Sequence, residues 1–157
     1  MKTKIILRDA IREDCKTVHD LIRELAIFEN APNEVELAVD QLEEDAFGDN
    51  AIVEIRVAEL GGEIIGASLI YEKYSTWKGR SVHLEDLIVR ESHRGKGIGT
   101  MLFNQIVNIA KERGYGRMEW QVLDWNEPAI EFYKKYNTTF LYDWLDCRLT
   151  SDDIKKL

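Results

Sequence analysis

Gly95, Gly97 and Gly99 alternate along a short basic stretch, Val89-Arg90-Glu91-Ser92-His93-Arg94-Gly95-Lys96-Gly97-Ile98-Gly99-Thr100, which joins an apolar segment to an amphipathic one. Glycine loses more conformational freedom on folding than any other residue, so three glycines within five positions are costly unless the backbone itself is needed there. Without side chains in the way, consecutive N–H groups can turn towards one point. A helix starting near Ile98 adds its own unsatisfied N–H groups and the positive end of its dipole. Arg94 and Lys96 add positive charge, and a pyrophosphate is the natural occupant of such a cradle. Two common phosphate loops differ from it. The dinucleotide fingerprint G-x-G-x-x-G needs glycine at position 100, where Thr100 stands, and a P-loop needs a Lys-Ser/Thr pair closing a longer loop.

The rest of the chain supplies the elements around this unit. Residues 5–8 read as a first strand, and Val18, Leu21, Ile22 and Leu25 recur at helical spacing over 13–28. A second helix is expected over 39–47, ending at Gly48. Strands follow over 52–59 and 63–71 with a Gly61-Gly62 hairpin turn between them, then over 81–90, where Glu85 and Asp86 interrupt an apolar run. Leu102, Ile106, Ile109 and Ala110 mark the long helix after the glycines, ended by Gly114. A strand over 117–123, a helix over 127–135 and two closing strands over 139–142 and 144–149 complete the pattern. This is an α+β, mixed α/β layout around one core, a single domain spanning 1–157.

Composition narrows the function classes. A net charge of -8 argues against nucleic acid, whose phosphates need a basic surface, and is compatible with a cationic substrate. Apolar runs are only a few residues long, too short to span a bilayer, and the N-terminal stretch lacks the apolar core and small-residue site of a leader. The expectation is a cytoplasmic protein with no membrane partner. Cys15 and Cys147 form no C-x-x-C pair and no metal spacing with His19, His83 or His93; they read as reduced, packed thiols, and no metal is expected. His19 and His93 read as surface residues, and His83 as packed or surface in preference to a catalytic base.

Arg94-Gly95-Lys96-Gly97-Ile98-Gly99 resembles the Gln/Arg-x-x-Gly-x-Gly/Ala signature of the GNAT superfamily of N-acetyltransferases. Leu84-Glu85-Asp86-Leu87-Ile88-Val89, Tyr74-Ser75-Thr76-Trp77-Lys78-Gly79-Arg80, Val122-Leu123-Asp124-Trp125-Asn126-Glu127-Pro128, Phe132-Tyr133 and Arg23-Glu24-Leu25-Ala26 narrow the resemblance to the diamine (spermidine/spermine) and thialysine acetyltransferase branch. The resemblance implies a mostly antiparallel mixed sheet splayed between strands 4 and 5, acetyl-coenzyme A as co-substrate, and a homodimer. It places the coenzyme along Leu87, Ile88 and Val89, the loop from Arg94 to Thr100, and Asn126, Glu127, Pro128, Ala129 and Tyr133.

Acetyl transfer to a primary amine needs a base, because an alkylammonium with a pKa near ~10.4 is not nucleophilic at neutral pH; it also needs oxyanion stabilisation and an acid for the departing thiolate. Glu85 is the candidate base, on the strand that feeds the glycine loop. A bulge near Leu87 would supply an oxyanion donor. Asp86 faces the other side of a regular strand, pairing with a base elsewhere or joining the site. The resemblance makes Tyr133 the candidate acid, while Phe132 and Tyr136 read as packing. For the amine, the resemblance brings in Phe28, Glu29, Ser75, Trp77, Glu119, Trp120 and Gln121. Trp77 serves equally as a core or dimer-contact residue. Polyamine-preferring members carry an acidic residue where Ser75 stands, so a lysine-like amino acid such as thialysine is favoured over spermidine. A protein acetyltransferase and a non-catalytic acyl-coenzyme-binding module are the competing readings. Tyr142, Trp144 and Leu145 fit a dimer interface or an intramolecular sheet.

Overall fold

The computed structural model describes residues 4–157; the first three residues of the stretch read above as carrying no leader lie outside them. The chain forms two compact units, one ending at Gln121 and the other Val122–Leu157. The first holds β1 (Ile5–Asp9), a 3₁₀ turn (Arg12–Asp14), α1 (Cys15–Phe28), α2 (Val39–Phe47), β2 (Glu54–Leu60), β3 (Glu63–Ser75), β4 (Gly79–Val89), a second 3₁₀ turn (Glu91–His93), α3 (Ile98–Glu112) and β5 (Met118–Glu119). The second holds α4 (Glu127–Lys134) and α5 (Ser151–Lys156).

The five strands form one mixed sheet in the order β1-β2-β3-β4-β5, antiparallel up to β4 and parallel between β4 and β5. Both faces are covered. Val18 and Leu21 of α1 pack with Ile55, Val57, Ala67, Leu69 and Ile88 on one side. On the other, Ile98 and Leu102 of α3 pack with Ala58 and Ile65, with Leu87 and Val89 against them. Burial on both faces is why β3 reads as a nearly continuous apolar run and does not alternate. Each of these Leu and Ile side chains contributes about 1.5–3 kcal/mol on burial.

The turns set the register. Leu60 pairs with Glu63 across Gly61 and Gly62, whose φ angles of 61° and 87° are the two positive values a two-residue hairpin turn demands. Ser75 pairs with Gly79 across a three-residue turn, and the Ser75 hydroxyl accepts the N–H groups of Trp77 and Lys78, each at 3.1 Å. In β4 the register shifts by one: Leu69 pairs with Asp86 and Ile70 with Leu84, so Glu85 is the extra residue of a β-bulge. The bulge therefore lies at Glu85 and not near Leu87, which pairs regularly with Ser68.

Several expectations need correction. The strand expected over 117–123 is only Met118–Glu119, pairing at Val82↔Met118 and His83↔Glu119. The two closing strands are absent. Residues 139–150 are turn and irregular chain, and Leu141, Tyr142, Trp144, Leu145 and Leu149 are exposed, so no intramolecular sheet buries them. A strand needs a neighbouring edge to satisfy its backbone, and alternation alone does not provide one. In their place Thr150 and Asp153 form a reciprocal capping box that starts α5, a signal the residue pattern carried and the sequence analysis passed over. Cys15 is buried, as expected of a packed thiol, with its pKa pushed up to about 11 by burial, but Cys147 is exposed. His19 is buried at 6% exposure, not at the surface: it lies on the inward face of α1 and its Nε2 sits 2.6 Å from the Leu37 carbonyl oxygen.

Candidate active site

β4 delivers the chain into the glycine stretch, and the second 3₁₀ turn redirects it into α3. Gly95 and Gly97 have φ angles of 74° and 80°, a left-handed backbone that L side chains rarely adopt, and a Cβ at either would meet nothing within 4 Å. The glycines are thus required by conformation, and the space before them is open. Gly97 caps α3, whose first N–H groups have no partner within the helix. The loop's cations are tethered to its own backbone: Arg94 Nε donates to the Val89 carbonyl at 3.0 Å and Lys96 Nζ to the Ser92 carbonyl at 3.1 Å. Left-handed glycines, a helix N-terminus and two exposed cations fit the pyrophosphate of a coenzyme. Thr100 lies in the first turn of α3 and Gly99 beside Val89, its Cβ position 3.8 Å from Val89 Cγ2. Leu87, Ile88 and Val89 use their side chains in the core, so a coenzyme there has only their backbone to bind. Among the described residues, no strand pairs with β4 on the β5 side beyond His83, the splayed edge that the sequence led us to expect.

The second feature is a group of acids. The bulge breaks the strict alternation of β4, so Asp86 does not turn away from Glu85. Asp86 is partly buried; burial, then the charges of Glu85 and Glu29, push its pKa up from 3.8 to about 6. Burial also raises Glu29, the residue that ends α1. Next to Glu29, Phe28 carries the Arg94 guanidinium 5.1 Å from its ring centroid, which connects the acidic group to the glycine loop. Glu85 is exposed over 58% of its side chain, with the Nε2 of His83 3.3 Å from its Oε2; the His83 side chain is only 13% exposed. His83 packs on Tyr71 with ring centroids 4.8 Å apart. His83 was expected to be a packed or surface residue, outside the site. The H-x-E spacing would have found it, since residues two apart share a strand face.

Phe28, Glu29, Glu85, Asp86 and Arg94 are thus brought together, whereas Ser75 and Trp77 are not. They occupy the tip of the β3–β4 hairpin, and the strand from Gly79 to Glu85 spans roughly 20 Å. Trp77 is 77% exposed there. Glu119 sits opposite His83 but is engaged by Lys73 at 2.9 Å and Arg117 at 3.1 Å; burial raises its pKa, and these two cations outweigh that and lower it. Trp120 stacks edge-on against Phe103 of α3 at 5.2 Å, so packing occupies its ring, and Gln121 ends the first unit.

The remaining residues belong to the second unit. Asn126 caps α4, its side chain accepting the Ala129 N–H at 3.4 Å, and Glu127, Pro128 and Ala129 form the first turn, where proline's missing N–H costs nothing. Tyr133 is 8% exposed, and burial pushes its phenol up to about 12. Phe132 stacks on both Tyr133 and Tyr136, the packing role expected of it.

A diphosphate cradle close to an acidic group suits transfer from a phosphate-bearing carrier to a cationic acceptor. The family model described as "Acetyltransferase (GNAT) family" matches residues 16–137, and the chain belongs to that family. It is an acetyl-coenzyme A-dependent N-acetyltransferase. It is similar to the thialysine N-epsilon-acetyltransferase of Mus musculus, 35% identical over 96% of this chain and 95% of that one. The spermidine/spermine N(1)-acetyltransferase-like protein 1 of Homo sapiens is 31% identical over 81% of this chain and 19% of its own length. Among solved structures, an integron cassette protein of V. cholerae superposes with a TM-score of 0.79 at 20% identity, covering 97% of this chain and 96% of that one, which speaks to the fold alone.

Proposed function

We propose that the protein acetylates the side-chain amine of a small lysine-like amino acid such as thialysine. The observation that carries this reading is the gathering of Glu29, Glu85 and Asp86 beside the Arg94–Phe28 contact. Several carboxylates near one point favour an ammonium group, and the aromatic ring adds apolar surface for a carbon chain. Ser75 supplies no charge, and its hydroxyl already accepts two N–H groups of its own turn, which leaves less to hold a second or third ammonium of a polyamine. The likeness to thialysine acetyltransferases over nearly the whole chain supports the same choice.

In this reading Glu85 takes the proton from the bound ammonium, directly or through water, and Asp86 with Glu29 holds the cation. Tyr133 is the acid. A phenol with its pKa near 12 stays protonated throughout the working range, so it always has a proton to give to the departing thiolate. The backbone of Leu87, Ile88 and Val89, the loop from Arg94 to Thr100, and the head of α4 from Asn126 to Ala129 bind the coenzyme, which supplies the activated acetyl group. The chain acts as one domain, a reading supported by a family match that runs across the boundary between the two compact units. A cytoplasmic homodimer belongs to the same reading: no described helix is long and apolar enough to cross a membrane, and Tyr142, Trp144 and Leu145 are exposed apolar side chains for an interface.

The test is coenzyme release from acetyl-coenzyme A with thialysine, lysine, ornithine, putrescine and spermidine. Thialysine or lysine should give the highest kcat/KM, and a clear win for spermidine would refute the choice of acceptor. Tyr133→Phe should lower kcat by about 10²-fold or more and leave coenzyme affinity, measured by calorimetry, within a factor of two or so.

A further inference from the structure

We propose that Phe28 is a positioning residue for the coenzyme: its ring holds the Arg94 guanidinium in place for the diphosphate. This rests on the reading of the glycine loop as a diphosphate cradle.

The last turns of α1 meet the connection between β4 and α3 at two points. Glu24 Oε1 accepts from Arg90 Nη1 at 2.9 Å, and one helical turn later the Phe28 ring carries the Arg94 guanidinium, 5.1 Å from its centroid. Glu24 and Phe28 stand four apart on the helix and so share a face. Arg90 and Arg94 are also four apart, on either side of the second 3₁₀ turn. The first point is anchored in the sheet: the backbone N–H of Arg90 donates to the Ile65 carbonyl at 2.8 Å, and Glu63 Oε1 lies 3.7 Å from its Nε. The second lies directly before Gly95, at the start of the cradle. Glu24, part of a stretch that the sequence singled out, thus registers α1 against the loop, and Phe28 meets Arg94 because of that register.

Arg94 is long and exposed, and fixing such a side chain only when a ligand arrives costs affinity. Two contacts restrict it beforehand. Its Nε donates to the Val89 carbonyl at 3.0 Å, which orients the near side of the guanidinium. The Phe28 ring attracts the cation through its π-face and accepts none of the strong N–H···O bonds, so the far N–H groups of the fork remain for phosphate oxygens. A planar fork binds a diphosphate well only when correctly oriented, unlike the point charge of Lys96.

The test compares acetyl-coenzyme A with S-acetylpantetheine, a donor without the diphosphate, using one amine acceptor at one concentration. Phe28→Leu keeps an apolar side chain and loses the ring. It should lower the ratio of the two kcat/KM values by about three- to five-fold. Any effect of Phe28 on the acceptor cancels in that ratio. Phe28→Tyr, which keeps the ring, should hold the ratio within about two-fold. Phe28→Leu combined with Arg94→Gln should have no lower a ratio than Arg94→Gln alone, since both act through one guanidinium. Calorimetry with coenzyme A should show the same loss for Phe28→Leu without any acceptor present. If Phe28→Leu leaves the ratio unchanged, or its effect multiplies with that of Arg94→Gln, the positioning role is overturned while the cradle stands. If Arg94→Gln itself leaves the ratio and the coenzyme A affinity unchanged, Arg94 has no part in the cradle and this proposal falls with that assignment.

Discussion

The glycine loop and the bulged segment of β4 lie close together in sequence yet are built on opposite principles. The loop from Arg94 to Gly97 is exposed and works with its backbone: Gly95 and Gly97 supply conformation, α3 supplies a dipole, and the two cations rest on the carbonyls of Val89 and Ser92. The segment from His83 to Asp86 works with side chains. Their properties come from partners far away in sequence, namely Glu29, Tyr71 and the pairing of β3. A backbone site tolerates changes to its side chains and fails when its φ angles are blocked. A side-chain site fails when a partner, its burial or its register is altered.

Substitutions can break that contrast. Gly97→Val should have the largest effect. At φ 80° a β-branched residue is strained, so acetyl-coenzyme A affinity should fall by about 10–100-fold and stability by about 1–3 kcal/mol, read by calorimetry and urea unfolding. Unchanged affinity would show that the loop does not work through its backbone.

Asp86→Asn probes the other region. The folded protein holds the Asp86 proton up to about pH 6, against 3.8 ordinarily, because burial and then Glu85 and Glu29 disfavour the carboxylate. A raised carboxyl pKa means that the folded state loses stability as pH rises from about 4 to about 6 and does not regain it above. Asn carries no charge, so the variant should exceed the unmodified protein by about 1–3 kcal/mol at pH 7.5, with most of that gap gone at pH 4, measured by urea unfolding at both. A gap independent of pH would mean that ionisation is not the cause.

Gly99→Ala should be the mildest change. Gly99 lies in the first turn of α3 without a positive φ, and its Cβ would meet only Val89 at an ordinary 3.8 Å, so stability should stay within about 1 kcal/mol. The contrast with Gly97 sharpens the point: a loss as large as that of Gly97→Val would indicate that side-chain bulk, and not φ, governs the loop.

How far each part could be read in advance follows from the same division. α2, the β2–β3 hairpin and the start of α3 were legible because local chemistry decides them: a helical period ended by Gly48, Gly61-Gly62 at a two-residue turn, and alternating glycines just ahead of Ile98. The bulge at Glu85 was misplaced to Leu87 because register depends on which residue of β3 lies opposite, and no local signal encodes that. The segment 139–150 reads as strands but has no edge to pair with among the described residues, so alternation there misled.

The residue order alone determined a strand–loop–helix with a left-handed glycine backbone, because torsional preference is a property of each residue. It also determined which carboxylates were available. Only the tertiary structure decided that Asp86 would share its surroundings with Glu85 and Glu29, that His83 would pack on Tyr71, and that Ser75 and Trp77 would stand at a distant hairpin tip. Burial, charge–charge proximity and strand register arise between segments far apart in the chain, and no stretch of sequence contains them by itself.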